Sequence, residues 1–165
     1  MNVKSFKSLI SDGEVQKISL ATNDGSMGYT IKNFNIISQK PGNTDYEHVV
    51  KIYTVEQTTA DGDINFSDNT LIGVAYIKEV QSGSNPPTQV IIFDNMTFNQ
   101  DIYVTHKDMS TGEKCNYYIE LEPRKLDLNE NTVVTLKDIR NTNSQKLNQK
   151  RNQRLIKWFQ AVLKR

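Results

Sequence analysis

One cysteine, two histidines and no acidic residue after Asp138 are the scarcities that constrain this 165-residue chain most. With Cys115 as its sole cysteine, the chain can form neither an internal disulfide nor a thiolate metal cluster of its own. His48 and His106 are too few, and too far apart in sequence, for the usual spacing of three or four metal ligands. There is no G-x-S-x-G and no H-E-x-x-H, and Asn23-Asp24-Gly25-Ser26-Met27-Gly28 lacks the spacing and following helix of a phosphate loop. The longest largely apolar stretch, Leu71 to Ile77, is far short of the roughly 20 residues that cross a bilayer. Met1 to Lys7 carries two lysines but no apolar run of signal length follows. These absences predict a non-enzyme without cofactor, catalytic group, metal or membrane span.

What is present points to a folded, β-rich chain. Six Phe, seven Tyr and one Trp supply large side chains for a core, and Asn, Thr and Asp supply turns. From Gly13 to Ile139 apolar residues alternate with polar ones, broken every ten to fifteen residues by turn chemistry. The pattern predicts strands at Val15–Ala21, Met27–Ser38, His48–Gln57, Leu71–Val80, Gln89–Phe93, Ile102–Lys107, Lys114–Glu122 and Thr132–Ile139. Turns are expected at Asn23-Asp24-Gly25 and Pro41-Gly42-Asn43, and a loop at Ser82–Pro87. A phase slip near Lys32-Asn33 predicts a bulge. Leu71–Val80, apolar on both faces, should be central. Ser110-Thr111-Gly112 reads as the turn of a hairpin, and Pro123 as a break before the last strand. The expected fold is an all-β antiparallel sandwich, jelly-roll or Ig-like, of about eight strands with a C-terminal basic amphipathic helix. Residues 1–12 read as an N-terminal arm, 13–140 as the sandwich and 141–165 as the helical arm. Ile52, Val74, Ile91, Ile102, Val104, Tyr117, Ile119 and Leu121 form the expected core.

The chemistry-bearing residues have plain alternatives. Asp61-Gly62-Asp63-Ile64-Asn65 begins like a calcium loop, but Phe66 and Ile72 stand where an EF-hand needs Gly and Glu. A polar loop is expected instead. His48 alternates with Val50 and Ile52, and His106 with Ile102 and Val104, as half-buried, hydrogen-bonded strand residues would. Cys115 falls on the apolar face of its strand and reads as an inert thiol. Tyr76, Tyr103 and Tyr118 would make a stacking platform for sugar or single-stranded nucleic acid only on adjacent strands.

Charge is divided. The last twenty-seven residues hold eight Lys/Arg and no acid, while residues 1–138 hold the other twelve against all nineteen Asp/Glu, a body near −7. Asn141-Thr142-Asn143-Ser144 reads as a polar hinge, with a helix starting between Ser144 and Asn152. At about 100° per residue, Leu155, Ile156, Trp158, Phe159, Val162 and Leu163 share an arc of about 160°, with Lys150, Arg154 and Lys157 opposite. Leu155, Trp158, Phe159, Val162, Lys150 and Arg154 are therefore the expected partner-binding residues. Trp158 and Phe159 should be buried at a contact between chains.

The stretches EHVVKIYTVEQTT (Glu47–Thr59), VIIFDNMTFNQDIYVTHKD (Val90–Asp108) and KCNYYIELE (Lys114–Glu122) resemble small β-rich virion proteins of tailed bacteriophages, particularly uncharacterised ones of marine and cyanobacterial phages. The resemblance spans about residues 14–140 and brings no catalytic or binding residues with it. It implies a structural or assembly protein of the head, connector or tail. Such a protein would be made in the host cytoplasm, built into the virion and docked to copies of itself or other virion proteins. A carbohydrate- or cell-surface-binding module is the alternative, and nucleic-acid binding through the basic tail a second.

Overall fold

The computed structural model describes residues 3–20, 26–42, 45–80 and 88–162; the side chains of 138, 145, 148–149 and 158–162 lie outside that description. Among the described residues the chain forms eight strands and one helix. They are β1 (Lys4–Ile10), β2 (Val15–Ile18), β3 (Met27–Ser38), β4 (Tyr46–Tyr53), β5 (Leu71–Glu79), β6 (Thr88–Phe93), β7 (Ile102–Asp108), β8 (Cys115–Lys125) and α1 (Leu128–Val162). Every pairing is antiparallel. One sheet has the order β1-β8-β3 and the other β2-β7-β4-β5-β6. First strand beside last, second beside seventh and fourth beside fifth is the nesting of a jelly roll. β6 departs from it by adding to β5 rather than to β3.

The core is the space between the sheets. Alternation places Ile10 of β1, Ile31, Phe34 and Ile36 of β3, and Cys115, Tyr117, Ile119 and Leu121 of β8 against Val50, Ile52, Ala75, Ile102 and Val104 of the other sheet. Seven of the eight expected core residues are buried, while Ile91 is only half-buried because β6 is an edge strand. The expected bulge is present: the β3–β8 register steps between Ile31 and Asn33, leaving Lys32 unpaired. The central place expected for β5 is also observed, between β4 and β6.

Four expectations are corrected. Residues 4–10, read as part of an arm, pair along their whole length with β8, and Ile10 reaches the core. Only Phe6 and Ile10 of that strand are apolar and turned inward, too faint an alternation to read. β7 and β8 are not a hairpin, because they belong to opposite sheets and the turn at Gly112 carries the chain across the sandwich. Pro123 does not break β8. It lies beyond Leu121, where β1 has ended and no partner carbonyl on that side of the strand is left wanting an N–H, an allowed place for proline.

The fourth correction is the largest. Thr132–Ile139 is helix, and the supposed hinge at Asn141–Ser144 is continuous helix as well. The start is fixed by a reciprocal cap: Glu130 N–H donates to Asp127 Oδ1 at 2.7 Å and Asp127 N–H to Glu130 Oε2 at 3.3 Å. Asn99 Nδ2 then donates to Asn131 Oδ1 and Thr135 Oγ1, tying the first turns to the loop before β7. β-Branched Thr132, Val133 and Val134 only modestly oppose helix, and these bonds outweigh them. The turn expected at Asn23–Gly25 and the loop at Ser82–Pro87 lie outside the described residues.

The strand phase predicts unequal costs of truncation. Ile119→Ala should destabilise by about 2–5 kcal/mol, whereas Ile37→Ala, at a side chain 60% exposed, should cost under about 0.5 kcal/mol. Urea unfolding of the two variants checks this, and equal costs would contradict the phase.

Candidate functional site

The residues with most chemistry meet at one end of the core, where β7 hands the chain to β8. Asp108 ends β7 and points inward. Its Oδ1 accepts from the backbone N–H of Glu47 at 2.9 Å and of Ser110 at 3.3 Å. Its Oδ2 accepts from the N–H of Glu113 at 2.8 Å and of Thr111 at 3.1 Å, and from Thr111 Oγ1. Burial alone would raise its pKa, but these N–H groups outweigh it and hold the carboxyl down at about 2. Asp12 braces the same corner from β1's side, accepting from Asp108 N–H and from Lys107 Nζ.

Behind this corner His48 and His106 share the inward face of neighbouring strands, with His48 opposite Asp108 and His106 opposite Val50. Both rings are fully buried, not half-buried as the alternation suggested, and Cys115, also fully buried, faces them from the other sheet. His106 Nε2 lies 3.0 Å from His48 Nδ1, and His106 Nδ1 lies 3.1 Å from the carbonyl oxygen of Ser11. A carbonyl can only accept, so the pattern assigns the protons. His106 Nδ1–H donates to Ser11, His106 Nε2 accepts from His48 Nδ1–H, and His48 Nε2 is left as a bare lone pair. Among the described residues that nitrogen has no hydrogen-bond partner. Tyr46 stacks on His48 with ring centres 4.9 Å apart.

Burial sets the electrostatics. It depresses His48 to about 4, helped by His106. It also lowers His106, against the pull of the Ser11 carbonyl and of Asp12 and Asp108. Burial pushes the Cys115 thiol up to about 12, so this is no activated nucleophile. With both rings neutral, the 3.9 Å approach of Asp108 to His48 is not an ion pair.

The other sequence candidates are dispersed. Asp61 is spent on the buried Lys51, whose Nζ donates to Asp61 Oδ1 at 2.6 Å and to the carbonyl of Asp63 at 2.8 Å. The 54–70 excursion is thus fastened to the five-stranded sheet as a polar loop. Tyr118 lies on the three-stranded sheet, and Tyr76 and Tyr103 lie on β5 and β7 with β4 between them, so the three form no common platform. Lys150, Arg154 and Leu155 are exposed on α1. The side chains of Trp158, Phe159 and Val162, and with them the expected inter-chain contact, lie outside the described residues. Among the described residues no helix is long and apolar enough to cross a membrane. The grouping of His48, His106 and Cys115 was missed because it is made in space. The one signal available was that all three fall on apolar faces of their strands. No family model matches the chain, and no curated protein matches it either.

Neutral buried histidines make the fold acid-sensitive above the carboxylate range. Unfolded histidines take up protons near pH 6.5, while native His48 does not until about 4. The unfolded state therefore binds more protons across that window. Stability falls as pH drops through it, by about 1.4 kcal/mol for each pH unit that separates the two values. Urea midpoints measured in chelator should hold steady above pH 7 and decline between about 6.5 and 4. The same series on His48→Gln/His106→Gln should lose most of that decline; an unchanged slope would contradict the assignment.

Proposed function

We propose that this protein is a non-catalytic structural subunit of a virion, built to join neighbouring copies through its C-terminal helix. The observation that carries the proposal is where α1 keeps its apolar residues. On a wheel of about 100° per residue, the half-buried, body-facing positions Asn131, Val134, Thr135, Asn141 and Thr142 fall on one side. Of the seven exposed large apolar residues of α1 among the described residues, Val133, Leu136 and Leu147 lie opposite them, Leu128, Ile139 and Leu155 lie at the flanks, and Ile156 falls on the body-facing side. Large apolar side chains left in water along the length of a helix support a partner in trans, because exposed apolar patches mark interaction surfaces.

A second copy suits that surface. The chain after Asp138 carries eight positive charges and no negative one, whereas residues 1–138 are near −7. Like charge disfavours two such helices pairing with each other, and opposite charge favours helix against body. The sealed positions of His48, His106 and Cys115 offer no substrate a path to a reactive group, which supports the non-catalytic part. The likeness in texture to small phage virion proteins supports the setting.

Nucleic-acid binding is the second reading, favoured by the exposure of Lys150, Arg151, Arg154 and Lys157 on consecutive turns. It predicts affinity that falls steeply between about 50 and 200 mM salt.

Leu136→Gln/Leu147→Gln/Leu155→Gln removes three of these exposed apolar residues while keeping helix-forming ones. Light scattering behind size exclusion should show the natural chain assembled. The triple variant should dissociate by more than about 2 kcal/mol, roughly 30-fold, with thermal unfolding of the body unchanged. A natural chain that stays monomeric at high concentration, or a variant of unchanged mass, would contradict the proposal.

A further inference from the structure

We infer that His48, His106 and Cys115 form a buried site for one thiophilic cation, zinc(II) or copper(I), bridging the two sheets. One ligand atom from each of the three lies within 4.8 Å of the others, and all three residues are sealed from solvent. The two histidine nitrogens already stand at nearly the spacing of two ligands on one ion. His106 Nε2 and His48 Nδ1 are 3.0 Å apart, against about 3.3 Å for two nitrogens on one tetrahedral ion. The sulfur must close by roughly 1 Å to reach its usual bond length.

Three further features of the surroundings suit an ion. His106 gives its outer ring N–H to the Ser11 carbonyl, the arrangement that fixes the ring of most metal-bound histidines. Ligation through His48 Nδ1 moves that ring's proton to Nε2, which has no hydrogen-bond partner among the described residues in either state, so the ion creates no new unpaired group. The Asp108 carboxylate, 3.9 Å from His48 Nδ1, and a Cys115 thiolate would together balance a divalent charge.

The donor set selects the ion. Sulfur with two imidazoles favours zinc(II) or copper(I) over magnesium or calcium, which take oxygen ligands. Three donors satisfy copper(I) as a trigonal site, and zinc(II) would recruit a fourth. Bound there, the ion would tie β4 and β7 of one sheet to β8 of the other, a cross-sheet staple in a chain whose single cysteine permits no disulfide. The staple lies inside the body and does not depend on the assembly role of α1.

The test uses the full-length, tag-free chain, stripped with chelator and incubated without oxygen with zinc(II) or with copper(I) in separate arms. After gel filtration we expect about one ion per chain in at least one arm, with a higher melting temperature; the tighter-binding ion identifies the site's metal. Cobalt(II) should give a thiolate-to-metal charge-transfer band. Cys115→Ala should abolish the band and weaken binding by about tenfold or more. Should that variant fail to fold, the thiolate-to-metal absorption band of the natural chain decides, read with cobalt(II) in place of zinc(II) and with copper(I) itself. Retention of no metal in either arm, absence of a thiolate band from both the cobalt(II) and the copper(I) spectra, or a folded Cys115→Ala that binds equally well would overturn the inference.

Discussion

The carboxylate of Asp108 is the point on which the rest of the sandwich turns. It is buried, yet its two oxygens take backbone N–H groups from Glu47 on β4 and from Ser110, Thr111 and Glu113 in the loop that follows. A carboxylate so provided stays ionised in the interior, because hydrogen bonds to its charged form offset the lost hydration. Its mechanical effect is to curl the chain after β7 out of one sheet and deliver Cys115 to the start of β8 in the other. β8 is the central strand of its sheet, paired with β1 on one side and β3 on the other. The corner therefore sets the register of three strands together.

That constraint also explains where the histidines lie. His48 and His106 sit one step inside the corner, on the two strands that Asp108 joins, and Cys115 arrives across from them because the turn crosses the core. A buried polar cluster of this kind is costly unless each member is paired, and here the proton relay from His48 through His106 to the Ser11 carbonyl pairs all but one ring nitrogen. The body is thus a closed object, its reactive side chains inside. The unsatisfied part is outside, on α1, whose first turns are held by Asp127, Glu130 and Asn99 and which leaves seven large apolar residues exposed. That exposed apolar surface is what supports the proposed joining role.

Much of the sandwich was legible because strands with one wet face write their alternation into the sequence. Met27–Ser38 and its bulge and the inward face of Cys115, Tyr117, Ile119 and Leu121 followed from period two, and the double-sided burial of Leu71–Val74 from its unbroken apolar run. Pairing did not follow. Ser110-Thr111-Gly112 announces a turn but not whether its arms pair or part, because that is settled by Asp108, and side-chain bonds to loop N–H groups leave no periodic trace. The helix was half-read for a related reason. β-Branched Thr132-Val133-Val134 imitates a strand, and the signal that overrides it, Asp127 with Glu130 three residues on, is a cap written in two residues. The His–His–Cys grouping could not be read at all, since it depends on which sheet each strand joins.

The central claim is that the Asp108 carboxylate, rather than apolar packing alone, fixes the crossing between sheets. Asp108→Asn tests it most directly, because the amide keeps the size but turns an N–H₂ toward donors that need an acceptor. Urea unfolding at neutral pH should show a loss of at least about 3 kcal/mol, from weakened charge-assisted bonds and N–H groups left unpaired in the interior. A loss within about 1 kcal/mol, the range of an ordinary surface substitution, would contradict the account.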